Sequence, residues 1–202
     1  MTEPRLLVLH ILRLRGLAAG AAIAGGTGLP AAQVTGLLAE LVDAGLVKER
    51  GGRLPGFALT PEGRAAHAAG IGEDLSPAER ADVETGYSGF LPLNTTFKQL
   101  CTDWQLRGPE EPNDHTDAGY DAAVVERLAT LHVAVAPVLA GVRVERFDGY
   151  PPRFAAALRR VQDGDRTAFA RPLADSYHDA WMELHEDFLL SLGRTREAAD
   201  GH

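Results

Sequence analysis

The sequence has very little cysteine, since Cys101 is the only one among 202 residues. A single cysteine excludes a disulfide within the chain and a zinc site built from several thiolates. The longest apolar runs, LLVLHILRL and HVAVAPVLAGV, are interrupted by charge, His or Pro before the roughly 20 residues that a membrane span requires. The opening MTEPRLLVLHIL has an acid and a proline before its apolar run and no small-residue cleavage pattern after it, which disfavours a secretory signal. We therefore expect a cytoplasmic protein that does not associate with a membrane.

Known catalytic motifs are also missing from the sequence. It has no Gly-x-Ser-x-Gly elbow, no phosphate-binding loop and no His-Glu-x-x-His, and GGTGLP lacks the preceding strand of a nucleotide fold. Asp114, His115 and Asp117 form a polar cluster at a predicted helix start. Acids are expected there because they offset the positive end of the helix dipole. The sequence therefore predicts a protein that is not an enzyme and has no cofactor.

Charge is distributed unevenly along a chain of net charge −8. Residues 1–70 contain seven Lys or Arg against five acids, whereas the remainder contains thirteen against twenty-three. Such asymmetry is expected when one part of a protein meets a polyanion and the other part has a different role. The composition, 45% hydrophobic and 24% charged, suits a globular protein of one or two domains.

Residues 1–70 alternate helical and strand-like patterns. Apolar spacing predicts helices over 5–15, around 19–24 and from Pro30 to about Gly45, where glycine favours a helix end. LVKERGGRLPGFALT contains two short strand-like runs around Gly51-Gly52, a signal for a two-residue hairpin. Thr60 followed by Pro61 marks the start of a further helix.

The stretch IAGGTGLPAAQVTGLLAELVDAGLVKERGGR, followed by FALTPEGRAAH, resembles the MarR-type and related bacterial regulator domains over about a third of the chain. These families share an Ile-Ala pair that ends a helix, Leu-x-x-Leu-x-x-x-Gly-Leu-Val leading into a wing, and Leu-Thr-x-x-Gly-Arg after it. The matching residues are Ile23, Ala24, Leu38, Leu41, Gly45, Leu46, Val47, Leu59, Thr60, Gly63 and Arg64. The resemblance implies that residues 1–70 form a winged helix-turn-helix, three helices plus a β-hairpin wing, that binds double-stranded DNA.

The expected recognition helix is unusual because no Lys or Arg lies between Leu29 and Leu46. We expect Gln33 and Thr35 to contact base edges, since Gln can pair with adenine and Thr can touch the thymine methyl group. Phosphate contacts would come from cations flanking the wing tip and from arginines that could lie nearby. The wing cations are Lys48, Arg50 and Arg53; the nearby arginines are Arg5, Arg13, Arg15 and Arg64. So few phosphate contacts predict weak binding by a monomer, and hence a homodimer on a palindrome.

The rest of the chain is predicted to be mainly α-helical. Residues 71–94 read as a linker with a short helix, and residues 95–195 as a helical bundle for dimerisation. Within 95–195 we expect helices over 95–106, 117–139 with a bend at Pro137, 146–163 and 172–192. The last would carry one apolar face formed by Leu173, Tyr177, Trp181, Leu184 and Phe188.

Two further patterns allow more than one interpretation. Phe90, Asn94, Phe97, Cys101 and Trp104 could line an apolar pocket for a small-molecule effector, or they could simply be core. His178, Met182 and His185 share one helix face. Two turns separate the histidines, which is longer than the usual zinc-ligand spacing, so buried histidines are favoured over a metal site.

The sequence thus predicts a bacterial DNA-binding transcriptional regulator, a homodimer with room for a small-molecule effector. The alternative is an adaptor or regulatory subunit whose winged helix and acidic helical domain bind a protein partner. The absence of Lys and Arg from the recognition helix and the net charge of −10 after residue 70 favour this alternative.

Overall fold

The computed structural model describes residues 2–108 and 110–195, and these residues are mainly helical. The helices are α1 Pro4–Arg15, α2 Gly20–Thr27, α3 Ala31–Asp43, α4 Pro61–Glu73, α5 Pro77–Gln105, α6 Ala118–Ala140, α7 Tyr150–Gln162, α8 Thr167–Ala170 and α9 Tyr177–Leu192. A 3-10 helix covers Glu145–Phe147, and strands β1 Val47–Arg50 and β2 Gly56–Leu59 form a two-stranded antiparallel sheet. These elements confirm the expected mainly α fold class with a small two-stranded antiparallel sheet.

The chain divides into two compact units that are not continuous in sequence. The first unit contains residues 2–80, 144–149 and 186–195, and the second contains residues 81–143 and 150–185. The sequence predicted contiguous domains over 1–70 and 95–195, joined by a linker. Residues 144–149 and 186–195 join the first unit through tertiary contacts, for which local sequence patterns carry no signal.

The apolar core of the first unit lies between α1, α2, α3 and the hairpin. Its members include Leu12, Ile23, Val34, Leu38 and Leu41, each at most 3% exposed. Helix α1 begins where the carboxylate of Glu3 accepts hydrogen bonds from two backbone N–H groups, and α4 begins where the Thr60 hydroxyl accepts one from Gly63. These two caps satisfy N–H groups that the first turn of a helix leaves unpaired.

The hairpin turn is longer than the two residues that Gly51-Gly52 suggested. Arg50 pairs with Gly56, so residues 51–55 form the connection. A second contact supports this register of the two strands: Ala18 forms an antiparallel bridge with Phe57 beside the hairpin. A Cβ atom on Gly56 would lie 2.8 Å from the carbonyl oxygen of Ala18, so only glycine fits at this strand start.

A buried polar network ties together the separate segments of the first unit. His10 Nδ1 of α1 lies 3.0 Å from His67 Nε2 of α4, and His10 Nε2 lies 3.0 Å from Asp187 Oδ1 of α9. Arg146 of the 3-10 helix lies 3.4 Å from Asp187 and 2.7 Å from Asp74. The side chains of Arg146 and Asp187 are each 2% exposed. We call these five side chains, His10, His67, Asp74, Arg146 and Asp187, the buried network.

The second unit is built on α5. This helix is continuous from Pro77 to Gln105, whereas the sequence predicted a linker up to residue 94 and a helix that starts at Thr95. Val83, Phe90, Phe97 and Trp104 repeat every seven residues along its buried stripe, and this repeat continues across Pro92. Proline removes one backbone hydrogen bond inside a helix. Burial of the aromatic stripe outweighs the cost of the lost hydrogen bond, so the helix continues through Pro92, where the sequence predicted a linker.

Aromatic rings fill the core of the second unit. Trp181 of α9 lies 4.9 Å from Phe90 and 4.6 Å from Phe97 between ring centroids, and Tyr177 lies 4.8 Å from Phe154 of α7. The predicted apolar face of the last helix was wrong at Leu173, which is 87% exposed and precedes α9. Leu173 and Asp175 both have positive φ angles, so the backbone here is not helical. Helix α7 begins only at Tyr150, after the 3-10 helix, instead of at Arg146.

Within the described residues, α6 is the one helix long and apolar enough to cross a membrane, judged by length and composition alone. Its inward residues, among them Leu128 and Val135, are buried, whereas Val133 is 72% exposed. Localisation therefore stays a prediction.

Gly63 offers a test of how α4 packs against the end of α3. A Cβ atom at this buried position would overlap the carbonyl oxygen of Leu46, which also accepts hydrogen bonds from Thr60. We expect Gly63→Ala to lower the free energy of unfolding by about 3 kcal/mol, because backbone cannot move aside as a flexible side chain can. Gly36→Ala is the matched control. Gly36 is an exposed α3 position with open space around its Cα, so alanine there should stabilise by about 0.5 kcal/mol. Urea unfolding measures both changes; equal effects of the two substitutions would contradict this packing.

The buried network predicts a pH dependence of stability. Burial, followed by the neighbouring His10 and Arg13, lowers the pKa of His67 from 6.5 to about 3. The unfolded chain therefore binds a proton at this residue below pH 6.5 while the folded chain does not. Stability from His67 is complete above pH 6.5 and is lost as the pH falls, by about 1.4 kcal/mol per pH unit. In His67→Gln, whose side chain does not titrate, urea unfolding between pH 7 and pH 5 should show a slope reduced by about this amount. An unchanged slope would show that His67 does not titrate as described.

Candidate nucleic-acid interface

Helix α3 presents one buried and one exposed face. Val34, Leu38 and Leu41 point into the core, and Gln33 and Thr35, one residue to either side of Val34, are exposed on the two flanks of this buried stripe. The Thr35 hydroxyl donates a hydrogen bond to the carbonyl of Ala31 at 3.0 Å, so its methyl group and oxygen lone pairs remain for an external partner. The Gln33 amide can both donate and accept. Both residues expected to contact bases are therefore accessible on α3.

The hairpin carries the cations of this surface. Lys48 and Arg50 are exposed on β1 and share one face of the strand, since side chains alternate, and Arg53 is exposed in the connection 51–55. None of the three side chains forms an ion pair or hydrogen bond with another of the described residues. Their full charge is therefore directed to solvent. We call Lys48, Arg50 and Arg53 the hairpin cations.

Three of the other arginines named from the sequence contact their own unit instead. Arg13 Nη2 lies 3.1 Å from Glu186 Oε1, Arg15 donates to the carbonyl of Ala22 at 2.8 Å, and Arg64 to that of Leu59 at 3.5 Å. Arg5 lies on α1 and is half-buried. The acidic segment 186–195 thus neutralises Arg13, a contact that no local pattern could have shown. The hairpin cations remain the main positive group on this surface.

The expected effector-pocket residues lie mostly in the core of the second unit. Phe90 and Phe97 are 0% and 2% exposed, and Asn94 accepts a hydrogen bond from Trp181 Nε1 at 2.9 Å. Burial raises the pKa of the Cys101 thiol to about 12, so it stays protonated. Trp104, at the end of α5, lines an open cavity.

That cavity was missed by sequence reasoning. It has a volume of about 400 Å³ and is lined by Trp104, Gln105, Asn113, His115, Arg166, Thr167, Ala170 and Arg171. The only sequence signal was the polar cluster of Asp114, His115 and Asp117, interpreted above as a helix start. Asp117 does cap α6, since its carboxylate accepts from the N–H groups of Gly119 and Tyr120. His115, the histidine of that polar cluster, lies in the wall of the cavity.

The histidines of α9 contact aromatic rings. His185 is 2% exposed, and its ring centroid lies 5.3 Å from Phe90. His178 lies 6.1 Å from Phe97, and burial lowers its pKa. Across the part of the chain that the structure describes, no three His, Cys, Asp or Glu side chains are placed to hold a metal ion.

Comparisons of the chain with protein-family models, with curated proteins and with solved structures found no match.

Proposed function

We propose that the protein is a DNA-binding transcriptional regulator whose first unit is a winged helix-turn-helix of the MarR-like type. The observation that carries the proposal is the set of hairpin cations, Lys48, Arg50 and Arg53, exposed and unpaired within the described residues, on the hairpin that follows α3. Free cations on a projecting hairpin can contact phosphates, while an exposed helix face can reach base edges.

The order of elements supports this proposal. A helix, a single bridge at Ala18, two helices joined by residues 28–30 and a hairpin follow one another along the chain. Gly28 adopts φ 70° at the end of α2, and such a short glycine-containing turn is typical of helix-turn-helix units. The bridge between Ala18 and Phe57 adds a third short strand segment beside the hairpin, as in a winged helix.

The distribution of charge favours different roles for the hairpin and for α3 in binding DNA. The hairpin cations would hold the phosphate backbone and supply most of the affinity, which makes binding sensitive to salt. Gln33 and Thr35 would provide sequence preference through adenine and thymine contacts. Three cations per chain are few, so we propose a homodimer that doubles the phosphate contacts on a palindromic site. A small-molecule effector would then act on this dimer.

An adaptor that binds a protein partner is the second candidate. The exposed face of α3 carries Glu40 and Asp43 and no basic residue, and Leu54 is 64% exposed in the hairpin connection. An acidic helix face repels phosphate, and an exposed leucine suits a protein surface. Both observations favour a protein partner over DNA.

DNA binding can be tested with the segment upstream of the protein's own gene, by fluorescence anisotropy across a series of salt concentrations. We expect Arg50→Ala/Arg53→Ala to weaken binding about tenfold at low salt and to lower the salt slope by about two per protomer, because two phosphate contacts are lost. Arg127→Ala/Arg159→Ala is the matched control, since it removes two exposed arginine charges from the second unit. That control should leave both the affinity and the slope unchanged.

The same experiment separates the two candidates. Equal weakening by the two double variants would indicate non-specific charge effects and contradict a hairpin interface. Absence of binding to the upstream DNA at low salt, together with one stoichiometric protein partner in a pull-down, would replace the regulator by the adaptor. Gln33→Ala should alter the preferred sequence with little change in the salt slope, because Gln33 carries no charge.

A further inference from the structure

The open cavity of the second unit is assembled from three parts of the chain. The end of α5, the connection before α6 and the segment 166–171 around α8 each contribute side chains. A volume of about 400 Å³ lies within the range of small-molecule sites. It is widely open to solvent, and six of its eight lining residues are polar or charged.

Two arginines give this cavity a positive character. Arg171 is exposed, and its side chain forms no ion pair or hydrogen bond with any other residue that the structure describes. Arg166 donates to the carbonyl of His115 at 2.9 Å and lies 4.0 Å from Asp121, with its side chain 58% exposed. The segments 81–143 and 150–185 contain nine Lys or Arg against fourteen acids. Two arginines on one cavity, in an acidic unit, form a local site for an anion.

The wall behind the arginines is held by hydrogen bonds. Asn113 is 8% exposed; its amide donates to the carbonyl of Trp104 at 3.1 Å and to Asp121 at 2.9 Å, and its oxygen accepts from the N–H of His115 at 3.1 Å. His115 itself adopts φ 61°, a conformation that these contacts stabilise. Binding groups on such a preformed wall lose little freedom when a ligand arrives.

Asp121 orients the ring of His115. His115 Nδ1 lies 3.0 Å from both carboxylate oxygens. Burial alone would raise the pKa of Asp121, but hydrogen bonds from Asn113 and His115 hold it below its usual value, so the carboxylate is charged. A charged carboxylate favours a proton on Nδ1, which leaves Nε2 as the ring nitrogen with capacity for a ligand.

We propose that this cavity binds a small anionic metabolite through a carboxylate or phosphate group held by Arg166 and Arg171. Guanidinium forks match both anions with paired hydrogen bonds. His115 Nε2 meets a polar group beside the anion, and Trp104 forms the apolar side. Trp104 is already stacked on Phe169, at 4.4 Å and 4° between the rings, so it is a rigid wall. The inference does not depend on DNA binding by the first unit.

Isothermal titration of the full chain at constant ionic strength tests the proposal with two probes, inorganic phosphate and succinate. We expect saturable binding of at least one probe, and the stronger of the two identifies the anion class. Arg171→Ala should weaken binding about tenfold, because one charge-assisted fork is lost. Arg171→Lys should restore part of the affinity, since it keeps the charge and loses the fork. Arg159→Ala, which removes an exposed arginine outside the cavity, should have no effect.

Three results would overturn the proposal. One is the absence of saturable heat from both probes up to about 10 mM, the range of a very weak site. The second is equal weakening by Arg159→Ala and Arg171→Ala, which would indicate general charge screening. The third is unchanged affinity in Arg171→Ala with a native circular dichroism spectrum. Because no DNA is present, failure here is distinct from failure of the regulator proposal.

Discussion

Burial of paired charges is the constraint on which the first unit depends. Arg146 and Asp187 are almost fully enclosed, and removing Arg146 would leave the Asp187 carboxylate buried without its cationic partner, which is strongly destabilising. His10 and His67 extend this pair to α1 and α4, and Asp74 closes it on the other side of Arg146. Since these contacts join α1, α4, the 3-10 helix and α9, the network specifies which distant segments belong together. The 3-10 helix and the end of α9 thereby become parts of a unit that otherwise consists of the first 80 residues.

The exposed surface of the first unit follows from how its apolar residues are used. Helix α3 buries Val34, Leu38 and Leu41 in the core, so its exposed residues are small or polar. The arginines of α1 and α4 are partly engaged by Glu186 and by backbone carbonyls, whereas the hairpin cations are not. Positive charge is therefore concentrated on a projecting hairpin while the adjacent helix stays uncharged or acidic. That distribution explains why phosphate contact and base contact fall to different elements in the proposed regulator.

The second unit separates its packing from its polar chemistry. Phe97 of α5 faces Trp181 and Tyr177, and Tyr177 packs in turn on Phe154, so these rings fill the space that an effector would need there. At the end of the same helix Trp104 leaves this core and meets Phe169 and His115. Asn113 and Asp121 then organise a polar wall that the arginines of segment 166–171 complete. The unit thus has an aromatic interior and a cavity with two arginines at one helix end.

Local sequence alone determined the elements whose signals are local. Thr60-Pro61 starts α4 as predicted, because a cap and a fixed φ act within one turn, and the apolar stripe of α3 follows its 3.6-residue period. The exposure of Gln33 and Thr35 was also predictable from the period of α3, and that of Lys48 and Arg50 from the alternation of side chains along β1. Continuity of α5 through Pro92, the hairpin register at Gly56 and the position of Leu173 were decided by tertiary structure. Long-range packing opposes local preference at these sites, and the buried network and the cavity likewise depend on residues that only folding brings together.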